Sequence, residues 1–126
     1  MTRIVAGSAK GRTLAVPKSG TRPTSERVRE ALFSRLDHMN VLEGAVVLDL
    51  YAGTGALGLE ALSRGAATAT LVEKASGAAR VATSNVRSTG LNARVVTADA
   101  RAYLAARSGQ VLSGEVDLVF IDPPYD

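Results

Sequence analysis

Residues 45–66, AVVLDLYAGTGALGLEALSRGA, decide the fold. Ala45–Leu50 is a short apolar run of the kind that forms a parallel strand buried on both faces, interrupted only by Asp49. Gly53, Gly55 and Gly58 follow as a literal G-x-G-x-x-G. Residues 56–64, ALGLEALSR, then read as a helix that Gly65 closes at its C-terminal side.

The same grammar continues downstream. TATLVEK (68–74) is a second strand, 76–89 a helix stopped by Gly90, and ARVVTAD (93–99) a third strand. A short helix over 100–107 and a fourth strand, VDLVFID (116–122), complete the series. Strands alternating with helices predict an α/β fold with a doubly wound, Rossmann-like parallel sheet. Upstream, RIVAGSAKGRTLAVP has apolar runs at 3–6 and 13–16 around a Gly/Ser/Lys stretch, which predicts a β-hairpin with a basic tip. Pro17 and KSGTRP break it. Thr24 is placed to N-cap a helix over 25–39, with Glu26 in its positive first turn. Val28, Leu32, Leu36 and Met39 mark the stripe expected to dock on the core, with Arg27 and Arg35 turned away from it. The chain thus divides by texture into 1–40, a basic hairpin and helix, and 41–126, the α/β core.

The chain of 126 residues has 46% hydrophobic and 21% charged residues, the balance of an ordinary globular domain. No apolar run approaches the ~18 residues of a membrane span, and the N-terminus lacks the apolar stretch of a secretory signal. Without cysteine there is neither a disulfide framework nor a thiolate metal site, and cytoplasmic residence is the simplest expectation. The net charge of +3 is unevenly spread. Residues 1–36 hold eight basic side chains (Arg3, Lys10, Arg12, Lys18, Arg22, Arg27, Arg29, Arg35) against Glu26 and Glu30, while the remaining ninety residues are net −3. A concentrated basic segment on a neutral or acidic body, set among turn residues, fits a polyanion partner better than the alternative of a solvated arm that aids solubility.

An open parallel sheet binds ligands outside the carboxyl ends of its strands, at the switch point of strand order. Each predicted strand here ends on a notable residue: Asp49 and the glycine loop after the first, Glu73 after the second, Asp99 after the third, and DPPY (122–125) after the fourth. The glycine loop suits a dinucleotide, a nucleoside cofactor or a purely structural turn. Glu73 can accept both hydroxyls of a ribose, and Asp99 can accept an exocyclic amine of adenine or cap the next helix. Pro123 and Pro124 end the fourth strand in a rigid turn. There the Asp122 carboxylate and the Pro123 carbonyl offer two acceptors to an exocyclic –NH2, and Tyr125 offers a ring to stack on a flat heterocycle. Holding that amine with its lone pair aimed at an electrophile is catalysis by proximity. His38, the only histidine, reads as structural or exposed, and no metal-ligand cluster is visible.

DPPY behind VLDLYAGTGALGLEALSRGA resembles S-adenosylmethionine-dependent methyltransferases of exocyclic amines. RIVAGSAKGRTLAVP followed by TRPTSERVREALFSRL narrows this: it is similar to the RsmD-type bacterial enzymes, which methylate N2 of a guanine in small-subunit (16S) ribosomal RNA. The resemblance runs from Arg3 to Tyr125 and implies a class I methyltransferase sheet with the hairpin and helix as an RNA-binding extension. It implies a cofactor set of Asp49, Tyr51, Ala52, Gly53, Thr54, Gly55, Glu73, Lys74, Asp99 and Ala100. In that set Asp49, Gly53 and Gly55 line the methionine and ribose part, Glu73 takes the ribose hydroxyls, and Asp99 with Ala100 sits at the adenine. Asp122, Pro123, Pro124 and Tyr125 would hold and stack the guanine. Lys10, Arg12, Arg22, Thr24 and Arg29 would meet the RNA, free or in a small-subunit assembly particle. The implied reaction is in-line displacement of the sulfonium methyl by the amine, with no covalent enzyme intermediate and no metal.

Members of that family continue past DPPY into further strands. As given, this chain would leave DLVFI an open apolar strand edge, so a shortened form or a partner chain over that edge is expected. Rival readings are an adenine-N6 methyltransferase, an NAD-dependent oxidoreductase resting on the glycines and Glu73, and a non-catalytic RNA-binding module.

Overall fold

The computed structural model describes residues 2–16, 25–112 and 115–124. Arg22, Thr24 and Tyr125 among the predicted site residues lie outside them. The hairpin pairs β1 (Thr2–Arg3) with β2 (Thr13–Leu14) antiparallel, in the register Thr2↔Leu14 and Arg3↔Thr13. Next come α1 (Glu26–His38), β3 (Val46–Asp49), α2 (Ala56–Ser63), β4 (Thr68–Glu73) and α3 (Ser76–Thr89). β5 (Ala93–Thr97), α4 (Ala100–Leu112) and β6 (Leu118–Phe120) complete the described chain. The four body strands form one parallel sheet in the order β5-β4-β3-β6. The chain steps outward from β3 to β5 and then returns to the far side of β3, so the switch point lies between β3 and β6.

Predicted and observed elements agree closely where glycine ends a helix: α3 stops at Gly90, which takes φ 68° and donates its N–H to Val86 at 3.0 Å. α4 runs past its predicted end at residue 107, and Arg107 there leaves helical geometry at φ −127°, ψ 21°.

Only part of the expected stripe on α1 meets the core: Leu36 packs against it, and the rest of the stripe faces outward. Val28 and Met39 are 56% and 60% exposed, whereas Arg29 and Phe33 are fully buried. The reason is what waits beneath the helix. Phe33 packs on Phe120 of β6 with ring centroids 5.5 Å apart and lies under the Arg64 guanidinium. Arg29 Nε donates to Glu60 of α2 at 3.2 Å, and its Nη2 donates to the Arg3 carbonyl. A buried carboxylate needs a cation and hydrogen-bond donors, and this demand outweighs burial of Val28. The helix is capped by Ser25, whose Oγ accepts from Val28 N at 3.2 Å.

Both faces of the sheet are covered, as its apolar strands require. On one face Ile4, Leu14 and Phe33 share a single apolar cluster with Leu42, Leu57, Leu59, Leu71 and Phe120, so the hairpin and α1 pack into the core of the rest. On the other face Leu48, Leu50 and Val72 pack under Ala100 and Tyr103 of α4. Among the described residues β6 pairs only with β3, and Ile121 just beyond it is 67% exposed. No helix of the described residues is long and apolar enough to cross a membrane.

Candidate active site at the strand ends

The register Asp49↔Phe120 puts the loop after β3 beside the segment after β6, and Leu50 N donates to Phe120 O at 3.1 Å across that junction. On the other flank Ala52 N donates to Val72 O at 3.0 Å. The loop therefore leaves β3 at the switch point, held from both neighbours. It closes on itself through Gly55 N to Ala52 O at 2.8 Å. Two glycines permit a close helix–strand approach. A Cβ on Gly55, at φ 89°, would stand 3.0 Å from Leu71 Cδ1, and one on Gly58 would stand 2.3 Å from Leu71 Cδ2.

Glu73 straps two loops together. Its Oε1 accepts from Gly53 N at 2.8 Å and its Oε2 from Ala75 N at 2.9 Å. Each oxygen retains acceptor capacity for a ribose hydroxyl. Asp99 takes the capping role: its Oδ2 accepts from Ala102 N at 3.1 Å at the start of α4. Ala100 is buried beneath it, Ala52 and Thr54 are also buried, Tyr51 is half-buried and Lys74 is exposed.

Asp49 is the anomaly of the site. It is fully buried, and neither carboxylate oxygen has a hydrogen-bond partner. Burial pushes its pKa up from 3.8 to about 7. The backbone N–H groups of Gly58 and Tyr51 pull the other way without reaching hydrogen-bonding geometry, while the charges of Asp122 and Glu73 push it further up. Asp122 thus stands close enough to Asp49 to be felt, although it lies exposed after β6. Pro123 is half-buried and Pro124 exposed. The structure therefore gathers Asp49, the glycine loop, Glu73, Asp99 and Asp122 along one sheet edge. Among the described residues no group of three or more His, Asp or Glu is placed to hold a metal ion.

The predicted RNA contacts divide. Lys10 and Arg12 are exposed on the hairpin, and Arg12 Nη1 also donates to Ser88 O of α3 at 3.1 Å. Arg29 is corrected: with no exposed surface and its charge matched by Glu60, it cannot present a cation to a polyanion. Arg3, Lys10 and Arg27, with Glu26 and Glu30, line a groove of about 370 Å³ between hairpin and α1.

Sequence reading overlooked the side chains that join the hairpin to the body. Glu60 accepts from Val5 N at 2.9 Å, Ala6 N at 3.1 Å, Arg29 and Arg64. Ser63 Oγ accepts from Ala9 N at 2.9 Å and donates to Ala6 O at 2.6 Å. Asn85, buried on α3, bonds both Ala15 and Thr54. A lone carboxylate in the apolar run LGLEAL was the one signal available, because a charge buried on a helix must find partners.

Known proteins share this sequence pattern and this fold. The chain is 45% identical over 125 residues to ribosomal RNA small subunit methyltransferase D of Escherichia coli K12, a match over 98% of this chain and 60% of that protein. A solved Escherichia coli protein described as a candidate methyltransferase, yhhF, superimposes with a TM-score of 0.81 at 41% identity, over 98% of this chain and 64% of its own. The hypothetical protein TTHA0928 of Thermus thermophilus superimposes at 0.78 and 42% identity, over 88% and 63%. The chain thus spans about three-fifths of the length of the curated relatives it matches. Its sheet is that of the class I methyltransferases. The family model described as Conserved hypothetical protein 95 matches residues 2–126, and the chain belongs to that family, the RsmD-type family its hairpin and strand-end motifs resemble.

Proposed function

We propose that this protein transfers a methyl group from S-adenosylmethionine to the exocyclic N2 amine of a guanine in small-subunit ribosomal RNA, in the cytoplasm. The observation that carries the cofactor is Asp49, a buried carboxylate without a partner at the switch point of a parallel sheet. A buried anion left unmatched costs stability, and a cationic ligand relieves that cost. S-adenosylmethionine is cationic at both its sulfonium and its ammonium groups, so the donor set suits it. NAD, whose pyrophosphate is anionic, finds Asp49, Asp122 and Glu73 facing the same edge.

When bound, the cofactor supplies an electrophilic methyl group. The protein's own residues do the rest by positioning. The Glu73 carboxylate, fixed by Gly53 and Ala75, holds ribose hydroxyls, and the loop of Gly53–Gly55 admits the ligand close to backbone. Asp122 and the Pro123 carbonyl would accept the two N–H groups of the guanine amine and so orient its lone pair, and Tyr125 would supply the ring that stacks on the base. Guanine N2 is preferred to adenine N6 because the N-terminal resemblance belongs to guanine enzymes. The name of the Escherichia coli relative supports ribosomal RNA as substrate. The exposed Lys10 and Arg12 support a nucleic-acid partner, free RNA or an assembling particle.

The test is calorimetric titration with S-adenosylmethionine and with NAD, followed by methyl transfer to a small-subunit RNA transcript and to a small-subunit particle by the unaltered protein and by Asp122→Ala. Saturable binding of the first ligand alone, and transfer lost in the variant while RNA affinity persists, is the expected result. NAD binding, or RNA binding with no transfer by either form, would overturn the reading.

A further inference from the structure

Asn85 is 1% exposed on α3 and uses its amide on two distant segments at once. Its Oδ1 accepts from Ala15 N at 2.7 Å, and its Nδ2 donates to Ala15 O at 3.0 Å and to Thr54 O at 2.9 Å. Both donors are thereby spent, and the side chain has no freedom to turn. Ala15 is the residue that leaves the hairpin after β2. Thr54 is the middle of the glycine loop, between Gly53 at φ 56° and Gly55 at φ 89°. One turn further along α3, the Ser88 carbonyl accepts from Arg12 of the same hairpin. The loop is therefore fastened twice: by Glu73 through Gly53 on the β4 side, and by Asn85 through Thr54 on the hairpin side.

From this geometry we infer that Asn85 is a positioning residue coupling the hairpin to the cofactor loop, so that RNA held on the hairpin tightens S-adenosylmethionine binding and the cofactor tightens RNA binding in return. The inference rests on the function proposed above. Its physical basis is shared ordering. Engaging Lys10 and Arg12 fixes the stem that ends at Ala15, the bidentate amide transmits that restraint to the Thr54 carbonyl, and a loop already ordered costs less to fill. Coupling between two ligand sites is reciprocal in free energy, so either ligand reports it.

The experiment measures the S-adenosylmethionine dissociation constant with and without saturating small-subunit RNA transcript, in the unaltered protein and in Asn85→Asp. The variant keeps the size of the side chain but turns its donor end, which faces the carbonyls of Ala15 and Thr54, into an acceptor. RNA should tighten the cofactor by about fivefold or more in the unaltered protein, the lower end of typical allosteric coupling, and should leave it nearly unchanged in the variant. Hydrogen exchange of residues 52–56 in the unaltered protein, with RNA alone, decides the matter should Asn85→Asp fail to fold: protection is expected, and unchanged exchange overturns the inference. Cofactor and RNA that both bind, each indifferent to the other, overturn the coupling and leave the proposed function standing. No cofactor binding in the unaltered protein overturns that function, and the coupling with it.

Discussion

Asp49→Asn tests the buried carboxylate directly. The group has a pKa of about 7 in the folded protein against 3.8 when exposed. Because the folded value is the higher, the folded state holds its proton more tightly. Stability from this group is complete below pH 3.8, declines as pH rises from there to 7, and is flat above. The full shift of roughly three units corresponds to about 4 kcal/mol. Asparagine cannot ionise, so the variant should gain on the unaltered protein across that window, approaching this magnitude at about pH 8 and vanishing near pH 3.5. Urea denaturation followed by circular dichroism from about pH 3.5 to 8 reads it, and the difference between the two proteins cancels the other titrating groups. The cofactor gives an independent readout. A cationic ligand beside Asp49 favours the carboxylate, so binding at about pH 6 should release close to one proton, about 0.9 for a pKa near 7. Calorimetry in buffers of different ionisation enthalpy counts it, and Asp49→Asn should release none while binding more weakly. Identical pH dependence of stability in both proteins would refute the claim that Asp49 is buried without a partner.

Other consequences are quicker to check. Arg29→Ala leaves Glu60 with Arg64 as its one cation inside the protein and should cost about 3–5 kcal/mol in chemical denaturation. Lys10→Ala should leave stability within about 0.5 kcal/mol, yet reduce the magnitude of the slope of log RNA affinity against log salt by about 1. Gly58→Ala drives a methyl to within 2.3 Å of Leu71 Cδ2 and should destabilise by about 1–3 kcal/mol, with a lower melting temperature. Phe33→Ala removes the ring against Phe120 and should cost about 3–5 kcal/mol.

What was legible in the sequence was local. β3 through α3 could be read because continuous apolar runs, helical spacing and positive-φ glycines such as Gly90 each act within a few residues. The strand-end residues were legible for the same reason: the topology rule places Asp49, Glu73, Asp99 and Asp122 on one edge once the strands are known. The misread features depend on partners far away in the chain. The exposed stripe of Val28 and Met39 looked like the docking face of α1 because an apolar count cannot see Glu60, which lies 31 residues beyond Arg29 and buries a cation in their place. Asn85 gave no sign of its role, since Ala15 is 70 residues away and the contact is to backbone, which carries no sequence signature.

These distant contacts also bear on how the basic segment and the core work together. Composition separates residues 1–40 from the rest, but the contacts run the other way. Glu60 sits at the junction of the hairpin backbone (Val5, Ala6), α1 (Arg29) and its own helix (Arg64), and Arg64 reaches on to Asp37 at 2.9 Å. Arg64 also lies over Phe33, and Phe33 touches Phe120, two residues before Asp122. A charge network of this kind is a weak source of stability on its own, since desolvation offsets its Coulomb energy. What it supplies is a single allowed seating: with both Glu60 oxygens committed to the hairpin and to two arginines, sliding α1 by one turn would part the buried Arg29 cation from its carboxylate. The segment proposed to grip RNA is thereby held in register with β6, and so with the residues proposed to grip the guanine.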